Sequence, residues 1–388
     1  MGKYGPGMDS LDYPMSVCLT PINIMFLMKQ PKFWLALCIA LPCGCVGAGM
    51  AWMKDSFGEM LENIMKDEAC YDTLTLLVTL VAAFRIQVAY MKFWDGCDLS
   101  YNIVGDLFDA TAHLMAFCRN SKADAKTVDD FQQVLVRLMS ILNSLIFAEL
   151  ESGVTRKPTP DTDDEAALPV SYNFELIDVA AIDGESMEML YKAENKVEMV
   201  YQWIQNLCME AWRDNVFSVP GPILNRGLQN VGSGIAHFHE AQKITEVPFP
   251  FPYMIALQTL LVTHWMITPI MCAQWSNYMA FVFLFCFFGT FSLWFFVAVA
   301  VELDQPFNQS RNSIDMRYLQ RLLNNRLLTL MEMSTVPTIY LKKDAVVLTR
   351  LNHEDDEELS KGLVDTVAFS RHTVARNTAF GNRSSQEE

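Results

Sequence analysis

No Asp, Glu, Lys or Arg occurs between Val247 and Val301. The interval is too long for one membrane crossing and is broken by Pro269 and by the polar group Gln274, Ser276 and Asn277. A single span is therefore excluded and a helical hairpin is expected. Charge is also missing from Phe33 to Met53, a length that suits one crossing, with Trp34 and Trp52 near its ends as interfacial anchors. The N-terminus has neither the basic and apolar pattern of a signal peptide nor the Arg/Ser-rich pattern of a transit peptide, so it carries no readable address. No nucleophile elbow, P-loop, zinc-protease helix or paired-carboxylate constellation is present, which argues against an enzyme. Gly232-Ser233-Gly234 lacks the wider elbow motif and is only a flexible or close-packed helix point. No Lys/Arg stripe exists and the net charge is −16, which excludes nucleic acid as an expected partner.

The chain has 388 residues, 51% of them hydrophobic and 12% aromatic. That composition suits a membrane domain joined to a sizeable cytosolic portion. Ten cysteines are enough for a disulfide framework, but Cys38, Cys43, Cys45 and Cys286 lie in apolar runs and are expected to pack. Cys70 stands in the first outer loop, where a bridge to Cys272 is open; reduced thiols are the expected state.

Tyr71 to Gly96 organises the rest. It opens uncharged from Thr73 to Phe84 and runs without proline or glycine through Arg85 to Trp94, so one helix can cross the bilayer and emerge as a polar, aromatic end. Thr73, Thr75, Thr79, Arg85 and Gln87 interrupt it, which points to a helix buried among others with one face toward water. Arg85 is expected to pair with an acid such as Asp95 or Asp106. Tyr90, Phe93 and Trp94 form a packing collar where the helix enters the cytosolic part.

Pro42 and the small residues Gly44, Gly47, Ala48 and Gly49 predict a bent first span with a close-packing face. The acidic loop after it and the basic residues Arg85, Lys92, Arg311, Arg317 and Arg321 place the first loop outside and both termini in the cytosol or its equivalent. From Asp98 the pattern is amphipathic and helical. Leu99 to Phe117 continues a helical pattern, Thr127 with Asp130 reads as a capping box, and further helices are expected around Met187 to Trp212 and Ile223 to Ala241. His237 and His239 point apart at helical spacing and are expected to be solvated, so no metal site is assigned. His264, alone inside the third span, is expected to hydrogen-bond a neighbour.

The expected fold is an all-α membrane protein with four transmembrane helices per subunit and a large helical cytosolic region. Its divisions are a cytosolic N-terminal segment (1–32), the first two spans with their outer loop (33–97), a cytosolic helical region (98–246), the third and fourth spans (247–301), a post-membrane segment and helix (302–350) and a mobile tail (351–388).

Phe84, Arg85, Tyr90, Lys92, Phe93, Trp94 and Asp95, together with Pro306, Phe307 and Asn312 after the last span, resemble the bestrophin signature segments. The resemblance implies a homopentameric, passive anion channel in the bilayer, passing chloride and possibly bicarbonate. It places Leu76, Leu80 and Phe84 on a hydrophobic neck lined by the second span, and Phe249 at a second, cytosolic aperture. A slip of two residues in the Pro-Phe repeat would put Val247 there instead. Arg85, Tyr90, Lys92, Trp94, Asp95, Pro306, Phe307 and Asn312 become structural signature residues. No cofactor is implied. The acidic calcium clasp of animal members is replaced by Asn308, Gln309, Ser310, Arg311, Asn312 and Ser313, so calcium gating through it is not expected. The host membrane is open, plasma membrane or an organelle such as the thylakoid. A coupled ion transporter using Arg85 or His264, and a non-conducting membrane scaffold, are the rival readings.

Overall fold

The structure, a computed structural model, describes residues 31–53, 68–155, 174–276, 278–308 and 313–334. The N-terminal segment, most of the outer loop, residues 156–173 and the tail lie outside these residues, as does Asn312. Among the described residues there are nine α-helices and no strand. They are α1 (Pro31–Trp52), α2 (Glu68–Cys118), α3 (Ala125–Thr155), α4 (Gly184–Lys192), α5 (Lys196–Arg213), α6 (Gly221–Glu246), α7 (Phe251–Trp275), α8 (Met279–Leu303) and α9 (Met316–Ser334).

Five of them are long and apolar enough to cross a membrane. In α3 the apolar window is 72% buried inside the chain, so its hydrophobic surface is already covered by other helices. The corresponding windows of α1, α2, α7 and α8 are only 17 to 39% buried. Such apolar surface is stable only against lipid or another subunit. These four are the charge-poor segments that the sequence marks as spans.

In the membrane layer α1 lies along α8 and α7, and α2 packs on α7 and α8. Close approach depends on Gly44 and Gly47: a Cβ on Gly44 would stand 3.0 Å from the Phe283 ring, and one on Gly47 2.8 Å from Cys286 Sγ. Gly49 has nothing within 4 Å of such an atom, so the packing face is narrower than the run of small residues suggests. Phe283, Phe287, Phe291 and Phe295 stack ring on ring along α8, with centroids 5.6 to 5.9 Å apart, and Phe33 of α1 meets Phe291 and Phe295 edge-on.

The other half of the molecule is a helical core around α3. One continuous helix, α2, joins the two halves; 51 residues at about 1.5 Å each make a rod of roughly 77 Å. Ile103, Leu107 and Leu114 on its distal half are buried against Leu142, Phe147, Ile204 and Phe238 in the same apolar core. The helix α3 starts at Ala125, with Val128 N–H donating to Asp124 O at 3.1 Å, so Thr127 is inside the first turn and does not cap it. The helix expected from Met187 to Trp212 is two, α4 and α5, separated at residues 193–195.

Helix α9 is held to α3 by a buried polar network. Ser140 Oγ donates to Asn324 Oδ1 at 2.8 Å, Asn143 Nδ2 donates to Gln320 Oε1 at 2.6 Å, and Asn324 Nδ2 donates to Glu175 O at 2.7 Å. Gln320 Nε2 reaches Ser140 O at 3.1 Å. Gln320→Leu keeps most of the volume but orphans the Asn143 amide N–H group and removes the second hydrogen bond to the Ser140 carbonyl, which still accepts within α3. We expect a loss of about 1–3 kcal/mol, read as a lower thermal midpoint of tryptophan fluorescence in detergent; an unshifted midpoint contradicts the network's role.

Candidate functional site

The two sequence segments that carry the signature, one on α2 and one just after α8, meet in space. The Arg85 side chain is 3% exposed and forms a two-pronged ion pair with Asp304, whose side chain is 15% exposed. Nη1 donates to Oδ1 at 3.0 Å, and Nη2 donates to Oδ2. An unpaired charge at this depth costs several kcal/mol, so the acid partner is required. That partner is Asp304, not Asp95 or Asp106. Asp304 is among the first acids after the uncharged interval, and that position is the signal by which it can be found. The guanidinium also lies over the Phe249 ring, 4.4 Å from its centroid, a cation–π contact. Seven residues on, Lys92 Nζ donates to Val247 O at 3.1 Å.

Farther along α2, Gly96 admits Pro306. A Cβ there would stand 2.9 Å from Pro306 Cγ and 3.3 Å from Phe307 Cζ, so only glycine permits the approach. Phe307 is buried and belongs to the apolar core around α3. Gly96 is a site residue that sequence reasoning passes over, because it falls at the end of the signature run. Tyr90 and Trp94 meet edge-on at 6.1 Å, as do Phe93 and Trp94, giving the aromatic collar; Asp95 is exposed.

Nearer the opposite end of α2, Tyr71 is clamped to α7. Its hydroxyl stands 3.1 Å from Thr268 Oγ1 and 3.4 Å from His264 Nε2, and its ring stacks on the imidazole at 5.7 Å. His264 is 4% exposed and hydrogen-bonded to neighbours, as its place in an apolar helix requires. Between the two anchors, Val78 and Ala82 are buried against Leu257 and Leu261.

The opposite face of that stretch has no partner among the described residues. Leu76, Leu80 and Phe84 are 70, 66 and 54% exposed, one above the other at helical spacing. Val247 is exposed, whereas Phe249 is half-buried under Arg85. His237 is not simply solvated: its Nδ1 lies 2.9 Å from Asp106 Oδ2, linking α6 to α2, and His239 Nε2 lies 3.6 Å from Glu198. Among the described residues no group of three His, Cys, Asp or Glu side chains is arranged to hold a metal ion.

Long apolar helices with unpartnered faces define an integral membrane protein of all-α fold. A family profile described as "Bacterial/Fungal Bestrophin protein" matches residues 35–329, and the chain belongs to the bestrophin family. No curated protein sequence matches it. Among solved structures, a bacterial bestrophin homologue from Klebsiella pneumoniae is similar at a TM-score of 0.60 and 14% identity, over 80% of this chain and 98% of that one. A membrane protein carrying a proline-to-alanine substitution is similar at 0.61 and 12%, over 78% of this chain and 100% of that one. These likenesses establish the fold.

The buried ion pair gives a direct test. Arg85→Ala leaves Asp304 charged and unpaired, and is expected to lower stability by about 3–5 kcal/mol. Arg85→Met combined with Asp304→Leu should recover much of that loss in thermal midpoint and in yield of folded protein. A double variant no better than the single one contradicts the assignment.

Proposed function

We propose that the protein is a passive anion channel in which α1, α2, α7 and α8 are the four membrane spans and α2 of each of five subunits lines a central pore. The observation that carries this reading is the unpartnered apolar stripe Leu76, Leu80 and Phe84 on a helix whose other face is fixed at both ends. Five copies of that stripe make a narrow apolar neck, which closes by dewetting and opens by slight widening. The Phe84 ring edge carries partial positive charge toward a passing anion. Chloride, and bicarbonate as a second substrate, fit such a path. Phe249 is the proposed cytosolic aperture, its ring braced by Arg85. Both termini face the cytosol or its equivalent on the positive-inside pattern.

A transporter reading loses support because Arg85 and His264 are both occupied by structural partners. One observation favours a different selectivity. Asp98 lies about five turns beyond Leu80 on the same face of α2, and it is exposed. Five such carboxylates beside the path would attract cations. Reversal potentials across asymmetric chloride and sodium gradients separate the two: a shift with chloride supports the anion channel, and a shift with sodium alone supports cation passage.

The neck is tested by Leu76→Ala with Leu80→Ala and Phe84→Ala in liposomes. Ion leak is expected to rise at least severalfold, with no dependence on a co-ion. Unchanged flux in a correctly assembled particle rejects the neck, and absence of flux in wild type and variant alike favours a scaffold.

A further inference from the structure

Three thiols from three different membrane helices converge: Cys43 of α1, Cys272 of α7 and Cys286 of α8, which are 1%, 6% and 0% exposed. All three belong to one buried cluster, in which Cys286 adjoins both of the others. Cys43 Sγ lies 3.3 Å from Thr290 Oγ1 and 3.8 Å from Trp265 O, and Cys286 Sγ 4.0 Å from Thr268 O. Gly47 leaves room for the Cys286 sulfur and nothing larger. Packing alone explains one buried cysteine; it does not call for three in one small cluster with Cys286 between the other two. Since the trio is not arranged as a metal site, the chemistry open to it is sulfur with sulfur.

We propose that Cys286 is a modification site, forming a disulfide with Cys43 or with Cys272 when a small neutral peroxide reaches the membrane layer. One thiol, as its thiolate, attacks a peroxide oxygen; the O–O bond breaks, a sulfenic acid forms and one water leaves. The second thiol attacks that sulfur, the S–O bond breaks, the S–S bond forms and a second water leaves. Two electrons and two protons pass from the thiols to the peroxide. The two bridges exclude each other because they share the Cys286 sulfur. One staples α8 to α1, the other α8 to α7. Through Thr268 the latter reaches Tyr71, and so the outer end of α2.

Cys38, Cys45 and Cys70 are exposed, and serve as internal controls. Cys118 and Cys208 in the cytosolic core are pushed up to about 12 by burial, so they stay protonated. The test uses the full-length protein in liposomes treated with hydrogen peroxide, then denatured, alkylated and digested without reductant. A linked peptide pairing Cys286 with Cys43 or Cys272 is expected, reversed by dithiothreitol, accompanied by a thermal midpoint several degrees higher and absent in Cys286→Ser. Recovery of all three as alkylated thiols, their conversion to sulfinic or sulfonic acids without a cross-link, or linkage of the exposed cysteines alone overturns the proposal. Because the mapping is done on wild type, the result stands even where the variant folds poorly, and it is independent of whether the protein conducts anions.

Discussion

A guanidinium cannot be left bare where a helix leaves the hydrocarbon layer, and the architecture follows from how Arg85 is neutralised. Asp304 has to arrive beside it, which fixes where α8 stops. Phe249 has to lie beneath it, which fixes where α7 begins. The Pro306–Phe307 turn then falls against Gly96 and delivers the chain into the apolar core around α3. One charged group thus ties together three segments that are remote in sequence, at the level where lipid-facing and water-facing packing meet.

The apolar helices α1, α7 and α8 are legible because the signal is coarse, an absence of charge over about twenty residues that a surface helix rarely shows, whereas α2 is uncharged only from Thr73 to Phe84. Arg85 and Phe307 were legible as important residues, yet their partners were not. Pairing a basic residue with an acid by sequence proximity favours Asp95 or Asp106, which lie on the same helix. The true partner is brought in by the return of α8, a tertiary event that no local pattern encodes. Likewise Asp106 was read as a possible partner of Arg85, and it faces His237 of α6 instead. Cys38 and Cys45 illustrate the reverse error. They sit in the same apolar run as Cys43, but helical phase turns them outward while Cys43 turns in.

The helical core shows why α3 carries a hydropathy that imitates a membrane span. It is surrounded by α2, α5, α6 and α9, so an apolar surface on nearly every side is required. What distinguishes it from a span is Ser140, Asn143 and Ser144, all buried, which meet the amides of α9 and their own helix carbonyls. In lipid those groups would be costly; in a polar network that leaves only Asn143 Oδ1 unmatched among them, they select which helix docks and in what register.

The unbroken length of α2 has a mechanical side. A helix of roughly 77 Å without proline acts as a stiff beam, and tilting it by about 3° about one end displaces the other by roughly 4 Å. The beam is gripped at both extremities, by Tyr71 on one and by α6 along the other. Small forces applied to the helices packed around α3 therefore gain leverage on the position of the Tyr71 end.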